Sequence, residues 1–284
     1  MLFLPFLFLV LICSCDKIKQ PYIKTIKHTL DTVEARKMLL EEFTGDQCIN
    51  CPNGSTQAEY LKNSVFGNSL ILISVNAGFY AIPNSQYPYD FRCTVSDTLD
   101  NYFHGNPLTT TLGYPMGMVN RLGWLQSNPL NVCLSVNQWR DTIANHINDV
   151  PKISIELYNS YNPATRVVSS SVECDALMSL TSTYRICSYL TEDSIIKPQE
   201  FPQGVDSLTY VHRHVLRGAL DSNPWGVTFI QGNTANGAQF TKNYTMVLDT
   251  AWNANHCSVV TFLYDASNYE IIQAEEKGIS ISSK

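Results

Sequence analysis

Charge is scarce in this 284-residue chain: 25 acidic and 19 basic side chains make up only 15% of it, and the net charge is −6. No basic run is longer than Lys17-Ile18-Lys19. Nucleic-acid phosphates call for clustered cations, so the composition argues against a nucleic-acid partner. Also missing are HExxH, GxGxxG, phosphate-loop and nucleophile-elbow patterns. With them go the zinc-protease, dinucleotide, nucleotide and serine-hydrolase chemistries those patterns carry. No cofactor is expected. One CxxC occurs, with neither a second one nor an HxxxH-type pair to complete a tetrahedral zinc site. Internal repeats and low-complexity blocks are absent as well. What the chain does have is 44% hydrophobic residues and 15 tyrosines. That is ample core material for two ordinary domains, in a composition that favours β-rich structure.

The N-terminus reads as a targeting segment. Leu2 to Ile12 is an apolar run of signal-peptide length, too short to span a bilayer comfortably. No Lys or Arg precedes it, so only the terminal amine supplies positive charge. The run ends in Ile12-Cys13-Ser14-Cys15, which resembles the lipobox of bacterial lipoproteins. The resemblance implies a signal peptide over 1–14, a lipidated Cys15 as the mature N-terminus, and a polar tether over 15–34. Several acyl chains anchor a soluble domain firmly where one would be marginal. A plain secretory signal is the alternative. Export places the chain where disulfides persist. Seven cysteines then remain, Cys48, Cys51, Cys93, Cys133, Cys174, Cys187 and Cys257, and an odd number leaves at least one unpaired or engaged elsewhere. Cys174 and Cys187 fall on successive expected strands and could face each other across a hairpin.

Lys37 to Pro52 carries the strongest chemical signal. Met38, Leu39, Leu40 and Phe43 suit a buried strand, Thr44-Gly45-Asp46 a turn, and Pro52 to Lys62 a helix with proline in its first turn. A CxxC at such a junction puts Cys48 at a helix N-terminus, where unpaired N–H groups stabilise a thiolate. Cys51, one turn along, can close or attack a disulfide. Two further marks follow. Gly113-Tyr114-Pro115 precedes the apolar run Met116 to Val119, where thioredoxin-like folds place a cis-proline facing the CxxC. Glu42 lies six residues before Cys48 and shares a strand face with Met38 and Leu40. That is the place of the buried acid that helps take a proton from the second cysteine, and burial would raise its pKa. Gln47 departs from the pattern, standing where thioredoxins carry an aromatic residue. Other readings stay open: a structural disulfide, a solvated Glu42 beside Glu41, and an ordinary trans Pro115.

The order from about Ala35 to Val150 fits an α/β thioredoxin-like domain (35–150). A strand over Ser69 to Val75, a long insert over Asn76 to Arg92 rich in tyrosine, proline and asparagine, a helix over Ser96 to Phe103 and the Pro115 strand lead to a closing helix from Asn137 to Asp149. Trp139, Ile143 and Ile147 form one buried stripe on that last helix. Beyond Pro151 the period changes to two, with Ile153, Ile155 and Leu157 alternating with polar residues. Short strands are expected at Arg166–Cys174, Thr183–Thr191, Tyr210–Leu220, Tyr244–Leu248, Val259–Asp265 and Ile271–Ala274. Together they form an all-β sandwich over 151–284. His212 and His214 would share a face of one strand at a spacing able to grip a metal. No carboxylate or third histidine lies at a convincing distance in sequence, although His256 could approach in space.

Three ordered blocks carry a family resemblance across nearly the whole mature chain. Leu40-Glu41-Glu42-Phe43-Thr44-Gly45 followed by Cys48-x-x-Cys51-Pro52 is the first. Tyr114-Pro115-x-Gly117-x-Val119-Asn120-Arg121 and His212-x-His214-Val215-Leu216-Arg217 are the others. They resemble the Bacteroidetes outer-membrane lipoproteins related to the 28-kilodalton outer-membrane protein. The resemblance implies a thioredoxin-like domain fused to a β-sandwich, held at the outer membrane through Cys15, and a surface or adhesin-like role. Two functions are then expected. One is a surface or envelope binding module with protein or glycan partners, its CxxC locked. The alternative is a tethered thiol–disulfide oxidoreductase in which Cys48 attacks, Cys51 resolves, Glu42 relays the proton, and Tyr114 and Pro115 dock the partner chain.

Overall fold

The structure is a computed structural model and describes residues 35–105 and 112–279. The expected signal peptide (1–14), Cys15 and the tether (15–34) lie outside the described residues. The fold is mostly β: one large mixed sheet, a three-stranded sheet and a separate two-stranded ribbon.

The first half builds one end of the large sheet. Strand β1 (Met38–Thr44) runs parallel to β2 (Leu70–Asn76) and antiparallel to β3 (Met116–Val119), which pairs with the short β4 (Cys133–Leu134). Every residue of β1 is buried, because both faces of the sheet are covered. Met38 and Leu40 pack with Ala58 and Leu61 of helix α1 (Cys51–Tyr60) and the turn after it, and with Trp139 and Ile143 of α3 (Val136–His146). Leu39 and Phe43 face the other way, into a core with Val95 and Leu99 of α2 (Thr94–Leu99). Helix α1 widens into a π turn over Leu61–Phe66, and Gly67 ends it with φ 58°, a left-handed conformation that glycine adopts without penalty. Gln138 accepts the Ser135 N–H at 3.0 Å, fixing the start of α3.

The second half adds β5 (Glu156–Asn162), β6 (Val167–Asp175), β7 (Tyr184–Glu192), β8 (Ile195–Phe201), β9 (Val205–His212), β10 (Val215–Ala219), β11 (Val227–Ile230), β12 (Gln239–Val247), β13 (Cys257–Asp265) and β14 (Ile271–Gly278). Strands β12, β6 and β5 form the three-stranded sheet. It packs Val168 and Val172 against Ile186, Leu190 and Leu263 of the large sheet. The large sheet runs β14-β13-β7-β10-β2-β1-β3-β4, with β11 on the edge of β7. It therefore passes straight through the boundary expected at Pro151. The join is the parallel contact of Val215 with Ser74, where the Ser74 N–H donates to His214 O at 2.8 Å. One core correspondingly mixes both halves, with Phe43 and Ile73 beside Tyr189, Leu216 and Phe262.

Two expectations change here. Cys174 lies on β6 of the three-stranded sheet and Cys187 on β7 of the large one, so they do not face each other across a hairpin. The strand expected over Tyr210–Leu220 is broken at Arg213-His214. In the large sheet Glu192 of β7 stands opposite Val215 of β10. In the ribbon, three residues along each strand, Ile195 stands opposite His212 in unbroken register. The four strands are thus one long hairpin, bent where Ser194 (φ 59°) and His214 (φ 53°) take left-handed backbone. Such a conformation costs a non-glycine residue about 1–2 kcal/mol. The bend also takes His214 off the strand, so His212 and His214 share no strand face. Pro198 sits at a register shift in β8, the position a sheet tolerates for proline.

Candidate functional site

The loop after β1 delivers the two cysteines. The Cys48 N–H donates to Gly45 O and the Cys51 N–H to Cys48 O, both at 3.2 Å. Cys48 and Cys51 are joined as a disulfide with their Cα atoms 5.3 Å apart. Two glycines permit the surroundings to close in. A Cβ on Gly45 would lie 2.4 Å from Tyr80 O, and one on Gly54 would lie 2.7 Å from Pro115 Cγ and 2.9 Å from Glu42 Oε1. Pro115, whose bond from Tyr114 is cis, thus lies against the first turn of α1, three residues past Cys51. The Tyr114 hydroxyl turns away to donate to Asp100 Oδ1 at 2.5 Å. Burial, with the Asp100 charge beside it, drives the Tyr114 pKa upward.

Glu42 lies beneath that helix turn and is 3% exposed. Ser55 Oγ donates to its Oε1 at 3.1 Å. Burial raises its pKa from 4.5 to about 8; the Ser55 bond opposes the shift and the Glu59 charge adds to it. Glu42 opens onto a cavity of about 280 Å³ lined also by Ser55, Glu59, Tyr210, His212 and His214. Asp46, two residues before Cys48, is 2% exposed, and its Oδ1 has no hydrogen-bond partner among the described residues. Burial is the main cause that raises its pKa to about 7, against a hydrogen bond from Gln47.

Cys48 is 3% exposed and Cys51 1%, and the β8–β9 ribbon is bonded to the loop that carries Cys48. Gln199 Nε2 donates to Gly45 O and Cys48 O, each at 3.2 Å, and the Glu200 N–H donates to Asp46 O at 2.8 Å. The long insert holds the ribbon from the side, with Tyr87 OH on Asp206 Oδ1 at 2.6 Å and Gln86 Nε2 on Asp206 Oδ2 at 2.5 Å. Gln47 in turn anchors the insert, its N–H on Tyr80 O at 3.0 Å and its Nε2 on Ile82 O at 2.6 Å. Around this rim Phe79 (67%), Ile82 (48%), Ile49 (42%) and Tyr80 (39%) stay exposed.

The histidines divide between different partners. His212 packs on Phe91 and Tyr210, and burial lowers its pKa to about 4. His214 Nε2 sits 2.8 Å from Glu59 Oε1. Among the described residues no group of three or more His, Cys, Asp or Glu is placed to hold a metal ion. The sequence reading missed Gln199, whose importance comes from a contact some 150 residues away and leaves no local pattern. It missed Gly54 too, although a glycine inside a helix is a signal of close approach. Asn120 and Arg121, part of a block already noted, proved structural. Asn120 Oδ1 accepts the Leu39 N–H at 2.6 Å and its Nδ2 donates to Ile271 O at 3.0 Å. Arg121 makes two 2.7 Å bonds to Glu41.

Comparison with known proteins bears on the whole chain. No curated protein is similar enough in sequence to match. HBP35 of Porphyromonas gingivalis is similar in structure, with a TM-score of 0.64 and 18% identity over 86% of this chain and 76% of that one. This likeness extends to the fold. A domain of the outer membrane lipoprotein Omp28 from Porphyromonas gingivalis is 22% identical, covering 47% of this chain and 93% of that one, with a TM-score of 0.32. Among the described residues no helix is long and apolar enough to cross a membrane. The model of the family described as outer membrane protein Omp28 matches residues 96–283, more than half of the sequence, and the chain belongs to that family of outer-membrane proteins.

Proposed function

We propose that the protein is a lipid-anchored binding module of the outer membrane, in which a thioredoxin-like half carries Cys48–Cys51 as a sealed structural disulfide. The observation that carries this reading is the burial of both cysteines, with Gln199 and Glu200 bonded to main-chain carbonyls of the loop that carries Cys48. Thiol exchange runs through in-line attack on a disulfide sulfur, and the burial of both cysteines hinders the approach of a client chain. Exposed apolar side chains at the rim, Phe79, Tyr80, Ile82 and Ile49, supply a contact surface of the kind that aromatic-rich protein interfaces use. The remaining strands form a β-sandwich that frames this end, and Cys15 supplies the anchor.

The test is the reactivity of the native disulfide. Treated with dithiothreitol at neutral pH and trapped with iodoacetamide, the peptide carrying Cys48 and Cys51 should gain label over hours. Labelling within a minute, at the rate of an exposed disulfide, would overturn the sealed reading. The second reading, an oxidoreductase using Cys48 and Cys51, is favoured by one feature. Glu42 is a carboxyl with a pKa of about 8 beside the first turn of α1 and Pro115, as a proton acceptor for Cys51 would require. Anchoring is tested separately, since mass spectrometry of the native N-terminus should find an acylated Cys15.

A further inference from the structure

Among the described residues the β8–β9 ribbon pairs with no other sheet. Its two legs are the continuation of β7 and β10, and each leg bends at a single left-handed residue, Ser194 on one and His214 on the other. The apolar anchorage lies at the base: Ile195 and Phe91 pack with Val215 where the ribbon leaves the large sheet. Along its length outward residues stay exposed, Ile196 near the root by 60% and Leu208 midway along β9 by 71%. What fastens it over the cysteines is polar, namely the Gln199 amide, the Glu200 N–H and the Asp206 carboxylate. Beneath its base lies the cavity of about 280 Å³, bounded by Tyr210 and His214 on one side and Ser55 on the other. A segment held by hydrogen bonds at its far end and by a small core at its root can swing without unmaking the domain.

We propose that the β8–β9 ribbon is a hinged cover, turning about Ser194 and His214, whose closed position is what seals Cys48–Cys51. The inference rests on the sealed-disulfide reading and assigns its cause. Closed, the ribbon places Gln199 and Glu200 on the carbonyls of Gly45, Asp46 and Cys48. Open, it returns those carbonyls and the disulfide to solvent, while β7 and β10 keep their pairing. The hinge acts through rotation at two residues, so no strand of the large sheet has to part.

The experiment uses the full chain and tris(2-carboxyethyl)phosphine as reductant, with the free thiols trapped by iodoacetamide and counted by mass. Gln199→Ala removes the side-chain donor. Glu200→Pro removes an N–H that points at Asp46 and away from β9, leaving the ribbon ladder intact. Each should speed reduction roughly five- to ten-fold, and the double variant further. Ile196→Ala on the outer face should leave the rate unchanged. Hydrogen exchange read on the same variants should show β8 and β9 amides losing protection while β7 and β13 keep theirs. A wild-type rate as fast as that of an exposed disulfide would overturn the sealed reading itself. A slow wild type with equally slow Gln199→Ala and Glu200→Pro variants would overturn the cover alone. So would loss of protection in β7 together with the ribbon, which would mean that the domain loosens as a whole.

Discussion

Glu41 and Glu42 are neighbours on one strand, both buried, and their two surroundings differ completely. On one face of β1, Glu41 meets Arg121 in a two-pronged ion pair, with both residues fully buried. The guanidinium carbon lies 5.1 Å from the Phe103 ring centre, 5.0 Å from that of Phe262 and 5.6 Å from that of Tyr264. On the other face, Glu42 has no ion pair among the described residues and accepts a hydrogen bond from the Ser55 hydroxyl. One carboxylate is matched by a charge and fixes packing; the other is held protonated by burial up to about pH 8. A strand turns successive side chains to opposite faces, so chemistry and scaffolding can stand one residue apart. The difference is set by what the rest of the chain brings to each face.

The ion-pair face should give the largest effect. Arg121→Ala would leave Glu41 as a buried charge with no counter-charge, which costs about 3–5 kcal/mol. A fall in melting temperature of roughly 6–20 °C is expected for a domain of this size. The double change Arg121→Met with Glu41→Leu should recover most of that loss, because it removes both charges and keeps volume. If Arg121→Ala melted within a degree or two of wild type, the pair would not be holding this face of β1 together.

On the opposite face, Gly54→Ala is the next largest. The added Cβ would fall 2.7 Å from Pro115 Cγ and 2.9 Å from Glu42 Oε1, so helix, proline loop and carboxyl would all have to shift. Overpacking of this kind costs roughly 1–3 kcal/mol, against a gain in helix propensity of under about 1 kcal/mol. Thermal unfolding should show a net loss. A melting temperature above wild type would show that the three groups are not in close contact.

This face also shows how far the sequence could be read. Strand β1, the CxxC turn, helix α1 and the Trp139 stripe on α3 were legible because each is a local pattern of periodicity, proline placement or spacing. Glu42 was placed on its face by counting along a strand. The sheet that runs through Pro151 was not legible, since the joining contact of Ser74 with Val215 links residues about half the chain apart and involves ordinary strand residues. Ribbon strand β8 carries Pro198 and polar residues, which hid it. The bend at His214 breaks an alternating run that reads as one strand from Tyr210 to Leu220, and histidine, though enriched in left-handed backbone, is too weak a marker to announce a bend. Gln199 is silent in sequence for the same reason: its role is made by tertiary folding alone.

Glu42→Gln tests the protonated state directly. In the unfolded chain Glu42 ionises near its ordinary 4.5, and in the folded protein near 8. Between those values the folded state keeps a proton that the unfolded state has released. Stability therefore falls as pH rises from about 4.5 towards 8 and levels off above. Asp46, raised to about 7, contributes a slope of the same sign. Glutamine does not titrate, so Glu42→Gln should flatten the decline and melt above wild type at pH 8. Parallel pH curves for the variant and wild type would show that Glu42 is already ionised in the folded protein.

Ser55→Ala should have the smallest effect and separates the two causes acting on Glu42. The hydroxyl donates to the carboxyl at 3.1 Å and opposes the upward shift that burial imposes. Its removal should move the Glu42 titration further above 8, because a donor to the charged form is lost. Near pH 6, where Glu42 is protonated on either chain, the change should cost no more than about 1 kcal/mol, the usual worth of one hydrogen bond. Above pH 8 the cost should grow, since ionising Glu42 then exposes a buried charge to a poorer environment. Melting curves at pH 6 and pH 9 therefore suffice: the loss at pH 9 should exceed the loss at pH 6. Equal losses at the two values would mean that Ser55 supports packing of α1 and leaves the ionisation of Glu42 untouched. In that case the burial of Glu42 beneath the first turn of α1 would be the whole reason it differs from Glu41.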